Sequence, residues 1–77
     1  MQTQQREPRF VICINNTEYP AALERRKIYQ VIPDDSAAQH QLLRIIDESG
    51  EDYLYPEIYF VPALFPPSIQ EAILRAA

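Results

Sequence analysis

Tryptophan is absent from this chain, and glycine, cysteine, histidine and methionine each occur once in 77 residues. Each scarcity closes off a kind of chemistry. With Gly50 alone there is no glycine-rich loop to cradle a phosphate. With Cys13 alone there is no intramolecular disulfide, which fits a reducing cytosol. His40 and Cys13 fall short of the ligand set a metal site wants. Nothing in the sequence orients them as a nucleophile and base. They read as a strand-core thiol and a loop imidazole. No run approaches the roughly 18 apolar residues of a membrane span, and the opening MQTQQREPRF lacks the apolar stretch of a signal peptide. The expectation is a soluble, cytoplasmic protein with no cofactor and no metal.

Positive charge is also in short supply. Seven Lys and Arg stand against eleven Asp and Glu, a net charge of −4. Phosphate neutralisation supplies most of a duplex binder's affinity, so the balance speaks against nucleic acid as a partner. Arg25-Arg26-Lys27 is the one basic cluster, and it reads as a solvated loop edge.

What is present is 47% apolar residues and seven prolines, enough for one small globular domain. Residues 1–8 are polar and read as a flexible arm. Arg9–Ile14 is a β-branched and aromatic run and predicts a first strand, with Phe10, Ile12 and Ile14 on one face. Asn15–Arg26 holds turn formers and Pro20 and reads as a long irregular loop. Lys27–Ile32 predicts the second strand. Asp34 or Asp35 could cap one or two helical turns after it, but the length favours a loop excursion. Leu42–Asp47 and Asp52–Tyr55 predict strands three and four around a turn in which Gly50 supplies positive φ. Pro56–Tyr59 predicts a tight turn and Phe60–Leu64 a short fifth strand. Pro66 and Pro67 end the sheet. Ser68–Ala76 then reads as a helix, with Pro67 at its start, Ser68 as cap, and an apolar stripe of Ile69, Ala72, Ile73 and Ala76. So short a helix needs a surface to lie on, either the sheet or another subunit.

The segment Asp47–Asp52, DESGED, puts four carboxylates in six residues. It does not match the oxygen-ligand spacing of a calcium loop, so it reads as a solvated acidic hairpin tip. Beyond it, Tyr53 and Tyr55 share one strand face. Either these two rings or Leu54 faces the core, and a one-residue slip exchanges them.

From Leu42 to Val61 the chain resembles the SH3-like barrel family, whose closing pattern runs W-x-x-x, a glycine-containing turn, then G-aromatic-[IF]-P-x-x-Y-V. Leu42, the Gly50 turn, and Pro56 with Tyr59 fall in sequence along it. The first strand, long loop and second strand resemble the family's earlier half, so the likeness covers Arg9 to Leu64. It implies an all-β, five-stranded barrel over residues 9–65, with residues 66–77 forming a proline segment and short C-terminal helix. It also implies binding of proline-rich peptides on an aromatic groove, to which Tyr19, Leu54, Pro56 and Tyr59 would contribute here. The pattern departs at the groove tryptophan, where this chain has Gln41-Leu42. It departs again at Tyr53, in place of the pattern's glycine, and at Leu54, in place of an aromatic. The chain also resembles short, uncharacterised bacterial proteins with DESGEDYLYP-type segments, which imply no activity.

A small barrel offers little concave volume for paired catalytic carboxylates. The sequence is therefore read as a non-catalytic protein-interaction module or accessory subunit of a larger assembly. The alternatives are a structural homo-oligomer joined through Ile69, Ala72 and Ile73, and a nucleic-acid-binding small barrel.

Overall fold

The computed structural model describes residues 9–76, so the arm expected over residues 1–8, and Ala77, lie outside the described residues. Five strands form: β1 (Phe10–Cys13), β2 (Ile28–Ile32), β3 (Leu42–Ile46), β4 (Asp52–Pro56) and β5 (Phe60–Ala63). They make one antiparallel sheet in the order β4-β3-β2-β1-β5. The edges β4 and β5 do not pair with each other, so the sheet is not closed.

Strand β2 belongs to both halves of this sheet. Its residues Ile28–Gln30 pair with β1, and Val31 and Ile32 pair with β3. One face therefore curls around a core of Val11, Cys13, Tyr29, Val31, Ile45, Tyr55 and Phe60, joined by Leu23 and Tyr59 from the connections. The period of two explains the choice of face. Val11 and Cys13 turn inward, while the Phe10–Ile12–Ile14 side turns outward, where Ile14 is half exposed. On β4 Tyr55 is buried and Leu54 lies outside, but Tyr53, on the same face as Tyr55, stays half exposed near the turn, so one of the two rings reaches the core.

The long β1–β2 connection is irregular, as its composition predicts, but it is tied down. Asn16 Nδ2 donates to Leu23 O at 2.9 Å, and Leu23 N donates to Tyr19 O at 3.0 Å. This turn drives Leu23 into the core with no exposed surface. The hairpin closes with Arg26 N donating to Cys13 O, Arg26 itself holding φ 71°. Arg26 thereby accepts a left-handed conformation that a glycine would adopt more cheaply.

Two local expectations are corrected. Asp35–Gln39 is a helical turn, α1, and not a loop excursion. Asp34 Oδ1 accepts the Ala37 N–H at 2.9 Å, while its Oδ2 accepts from Arg44 Nε at 2.8 Å. Cap and ion pair together pin the turn to β3, and Ala37 is buried beneath it. Local propensity could not show this, because the stabilising partner lies ten residues away. The second correction concerns Ser68. Helix α2 (Pro67–Arg75) starts at N-cap Pro66 with no side-chain cap, so Ser68 lies inside the helix. Between β4 and β5 the expected tight turn is a 3-10 turn, Glu57–Tyr59.

The outer face of β1 and β5 carries a second, smaller apolar layer. Phe10 and Ala63 are directly paired and buried, and Phe65 meets the Phe10 ring edge-on at 6.0 Å. Helix α2 contributes Ile73 and Leu74 to a gap of about 280 Å³ shared with Phe10, Ile28 and Gln30.

Because Leu23 is a loop residue filling a core position, Leu23→Ala is expected to destabilise the domain by about 3 kcal/mol. A domain this small has a stability of only about 5 kcal/mol, so the variant should show a steep drop in its urea unfolding midpoint.

Candidate functional site

The β3–β4 turn is built around one carboxylate. Asp47 is the buried charged side chain among the described residues, at 7% exposure. Its Oδ1 accepts from Ser49 N at 2.8 Å and Ser49 Oγ at 2.6 Å, and its Oδ2 accepts from the Tyr55 hydroxyl at 2.5 Å. The Asp-x-Ser spacing folds back on itself as such turns do. Gly50, at φ 84°, then completes the reversal. Burial would raise the Asp47 pKa, but the hydrogen bonds from Ser49 and Tyr55 outweigh it and hold the carboxyl below its usual range. The reading of DESGED as a solvated tip is therefore corrected at Asp47. The sequence alone could not show the ring reaching back from Tyr55.

The other three carboxylates of the segment are also engaged. Glu48 Oε2 accepts from the Tyr29 hydroxyl and from Lys27 Nζ, both at 2.6 Å. The Lys27 hydrogen bond, with help from Tyr29, lowers the Glu48 pKa. Glu51 accepts from the Tyr53 hydroxyl at 2.9 Å, and Asp52 pairs with Arg44 Nη1 at 2.9 Å. The basic cluster is thus no mere loop edge, since Lys27 meets the acidic turn within the same chain. The Glu48 N–H donates to Ala22 O at 3.0 Å, joining this turn to the long loop.

That junction leaves an open depression of about 460 Å³ lined by Tyr19, Ala22, Asp47, Ser49, Tyr53, Leu54 and Tyr55. Tyr19 stands at its edge, with its ring meeting Tyr55 edge-on at 5.0 Å and Tyr59 at 6.1 Å. Tyr19, Tyr53 and Leu54 remain 38%, 51% and 41% exposed, so ring and aliphatic surface face solvent together.

Of the residues singled out from sequence, Tyr19 and Leu54 come together here. Tyr59 touches Tyr19, but its ring is buried in the core and its hydroxyl donates to Glu18 Oε1 at 2.9 Å. Pro56 is half-buried opposite Leu42 and does not line the depression. The helix stripe divides: Ile69 and Ala72 are exposed, while Ile73 turns toward the sheet. Sequence reasoning missed Asp47, Ser49 and Ala22 as site residues. The available signal was the Asp-x-Ser turn spacing.

Cys13 is fully buried, with burial raising its pKa, and His40 is the exposed C-cap of α1. Among the described residues no three His, Cys, Asp or Glu side chains gather to hold a metal ion, and no helix is long and apolar enough to cross a membrane.

The network makes stability depend on pH from both sides. Asp47 and Glu48 have lowered pKa values when folded, so their stabilisation is present above their ordinary 3.8 and 4.5 and is lost as pH falls through the folded values. Burial and a carboxylate acceptor raise the Tyr29 and Tyr55 phenols. Their contribution is complete below the ordinary 10.0 and is lost as pH rises through the folded values. Urea midpoints should form a plateau that falls below about pH 4.5 and above about pH 10. Tyr55→Phe should cost about 1–3 kcal/mol of unfolding free energy across the plateau, since it leaves a buried carboxylate short of a donor.

Comparison with family models, with curated proteins and with solved structures finds no match to this chain.

Proposed function

We propose that this chain is an SH3-like small barrel acting as a non-catalytic protein-interaction module or accessory subunit, with its partner face at the Tyr19–Tyr53–Leu54 depression. The barrel reading is supported by the strand order, by β2 being shared between two half-sheets, by the long first connection and by the 3-10 turn before the last strand. The observation that carries the function is the exposure of two tyrosine rings and a leucine around one open concavity. Amphipathic rings held rigidly at a surface supply contact area at low entropic cost. The rings are held here by packing on Tyr55 and by the Tyr53 hydroxyl bonding to Glu51. Such a module would work in the cytoplasm, where an unpaired Cys13 is stable.

The homo-oligomer reading would keep Ile69 and Ala72 but lose Ile73, which already packs toward its own sheet. The negative net charge continues to disfavour nucleic acid.

The test is affinity capture with the tagged full chain beside a Tyr19→Ala/Leu54→Glu double variant. The variant should stay folded with a thermal midpoint lowered by a few degrees, because the Tyr19 ring packs on Tyr55 and Tyr59. A partner protein recovered by the wild type should fall by at least about tenfold with the variant, a loss of about 1.4 kcal/mol. Equal recovery by both forms, or no partner at all, overturns the reading. Sedimentation at high concentration separates it from self-association.

A further inference from the structure

We propose that the open edge of β4 receives an extended segment of the protein partner as an added strand of the sheet, apolar along the middle and basic at both ends; this rests on the interaction reading above and names how that face is used. The sheet has two edges, β4 and β5, and they differ in what they offer. In an antiparallel pair, residues alternately bond to the neighbouring strand and turn their backbone groups away from it. On β5 the Ile14 N–H donates to Tyr59 O at 2.8 Å, so Val61 and Ala63 bond to β1 while Phe60 and Pro62 turn outward. Pro62 has no N–H, and the Phe60 N–H is spent on Glu57 O. That strand presents no donor along its outer edge, which is how proteins commonly blunt one.

The β4 edge is not blunted in this way. The Asp47 N–H donates to Glu51 O at 3.1 Å, and the Glu57 N–H donates to Gln41 O at 2.9 Å. Between these two bonds the alternation gives Tyr53 and Tyr55 to β3 and turns Asp52, Leu54 and Pro56 outward. Leu54, at the centre, offers both an N–H and a C=O to an added strand. Asp52 offers both as well, and Pro56 a C=O. No described strand pairs with this row. Beside it, the exposed Tyr53 ring and Leu54 side chain line the depression, so one strand meets free backbone and apolar surface together. In strand addition the main-chain bonds supply affinity and alternate side chains supply choice.

Charge selects the occupant. Glu51 lies just beyond one end of β4 and Glu57 just beyond the other, both exposed, and neither is in an ion pair among the described residues. A second copy added antiparallel about Leu54 would set each Glu51 against the other copy's Glu57. Like charges directly opposite destabilise a sheet. A partner strand with a lysine or arginine at each end meets the same two carboxylates favourably, and the net charge of −4 draws it in.

The test is a ¹⁵N–¹H titration of the full chain with the peptide Ac-Lys-Thr-Val-Thr-Val-Thr-Lys-NH2 and with two forms N-methylated at a single residue. Added antiparallel with its central threonine opposite Leu54, the peptide aims that threonine's N–H at Leu54 O and the next valine's N–H away from β4. The parent peptide should shift the amides of Asp52, Tyr53 and Leu54 and slow hydrogen exchange at Leu54. N-methylation of the central threonine should weaken binding at least about tenfold, and N-methylation of the next valine less than about twofold. Exchanging both lysines for glutamate should weaken it at least about threefold. Leu54→Pro, which copies at β4 what Pro62 does at β5, should abolish the shifts. Because proline also stiffens the strand, the methylated pair tests the same bond with the wild-type chain. No binding of the parent peptide, or equal loss from the two methyl groups, overturns strand addition while leaving the interaction face intact. Protection of the Leu54 amide in protein alone overturns the assignment to a partner: protection that grows with concentration places a second copy on the edge, and protection at every dilution places the chain's own residues there. Failure of the interaction reading shows separately, as loss of the capture difference between wild type and the Tyr19/Leu54 variant.

Discussion

The hydrogen bond from Tyr55 to Asp47 is the constraint on which the rest of this domain leans. It fixes the β3–β4 turn to a ring in the core, so turn and core cannot move independently. The same ring carries Tyr19 on one side and Phe60 on another, at 5.0 and 6.4 Å. One phenol therefore couples the turn, the long loop and the last strand. The neighbouring backbone bond from Glu48 to Ala22 draws the loop to the turn one residue from Leu23, the side chain that fills the core from above. In a chain with little core to spare, this coupling replaces the mass of a larger interior.

A general device is repeated around that point. Tyr29, Tyr53, Tyr55 and Tyr59 each donate a hydroxyl to a carboxylate, on Glu48, Glu51, Asp47 and Glu18 respectively. A buried or half-buried ring with a polar tip needs a partner, and a carboxylate gives a shorter, stronger bond than a neutral acceptor. This explains how an acidic chain builds an aromatic core without leaving phenols unsatisfied. It also explains why the charges of DESGED lie where they do. Tyr19 is the exception: none of the described hydrogen bonds involves its hydroxyl, and it sits at the edge of the open depression.

Much of the fold was legible from local pattern. The five strands follow β-branched and aromatic runs bounded by proline, asparagine or glycine, and their ends moved by about a residue between sequence and structure. The faces on β1 and β4 follow the period of two once one residue is anchored, but nothing in the sequence anchors it. Tyr55 was fixed inward by Asp47, a partner eight residues away across a turn. The helical turn at Asp35–Gln39 was missed for the same reason, since Arg44 completes it from the next strand. Of the residues lining the depression, the sequence singles out Tyr19 and Leu54 but not Asp47. A carboxylate among four in six residues looks solvated until the chain is folded and one of them is seen to be enclosed. Tyr59, expected to contribute to a groove, is buried at 7% exposure, a depth its spacing to Pro56 does not show.

The enclosed Asp47 shows how this fold holds a charge beside its core. A serine or asparagine at this position could accept from Ser49 and close the same turn without placing a formal charge beside the core. Keeping a carboxylate there costs desolvation, which the Ser49 and Tyr55 donors more than offset, since the Asp47 pKa stays below its usual range. Elsewhere in the described chain such costs are met within the fold, as at Glu48 with Lys27 and at Asp34 with Arg44. At Asp47 neutral donors do this work among the described residues. The position that holds the turn together is in this way also part of the wall of the depression.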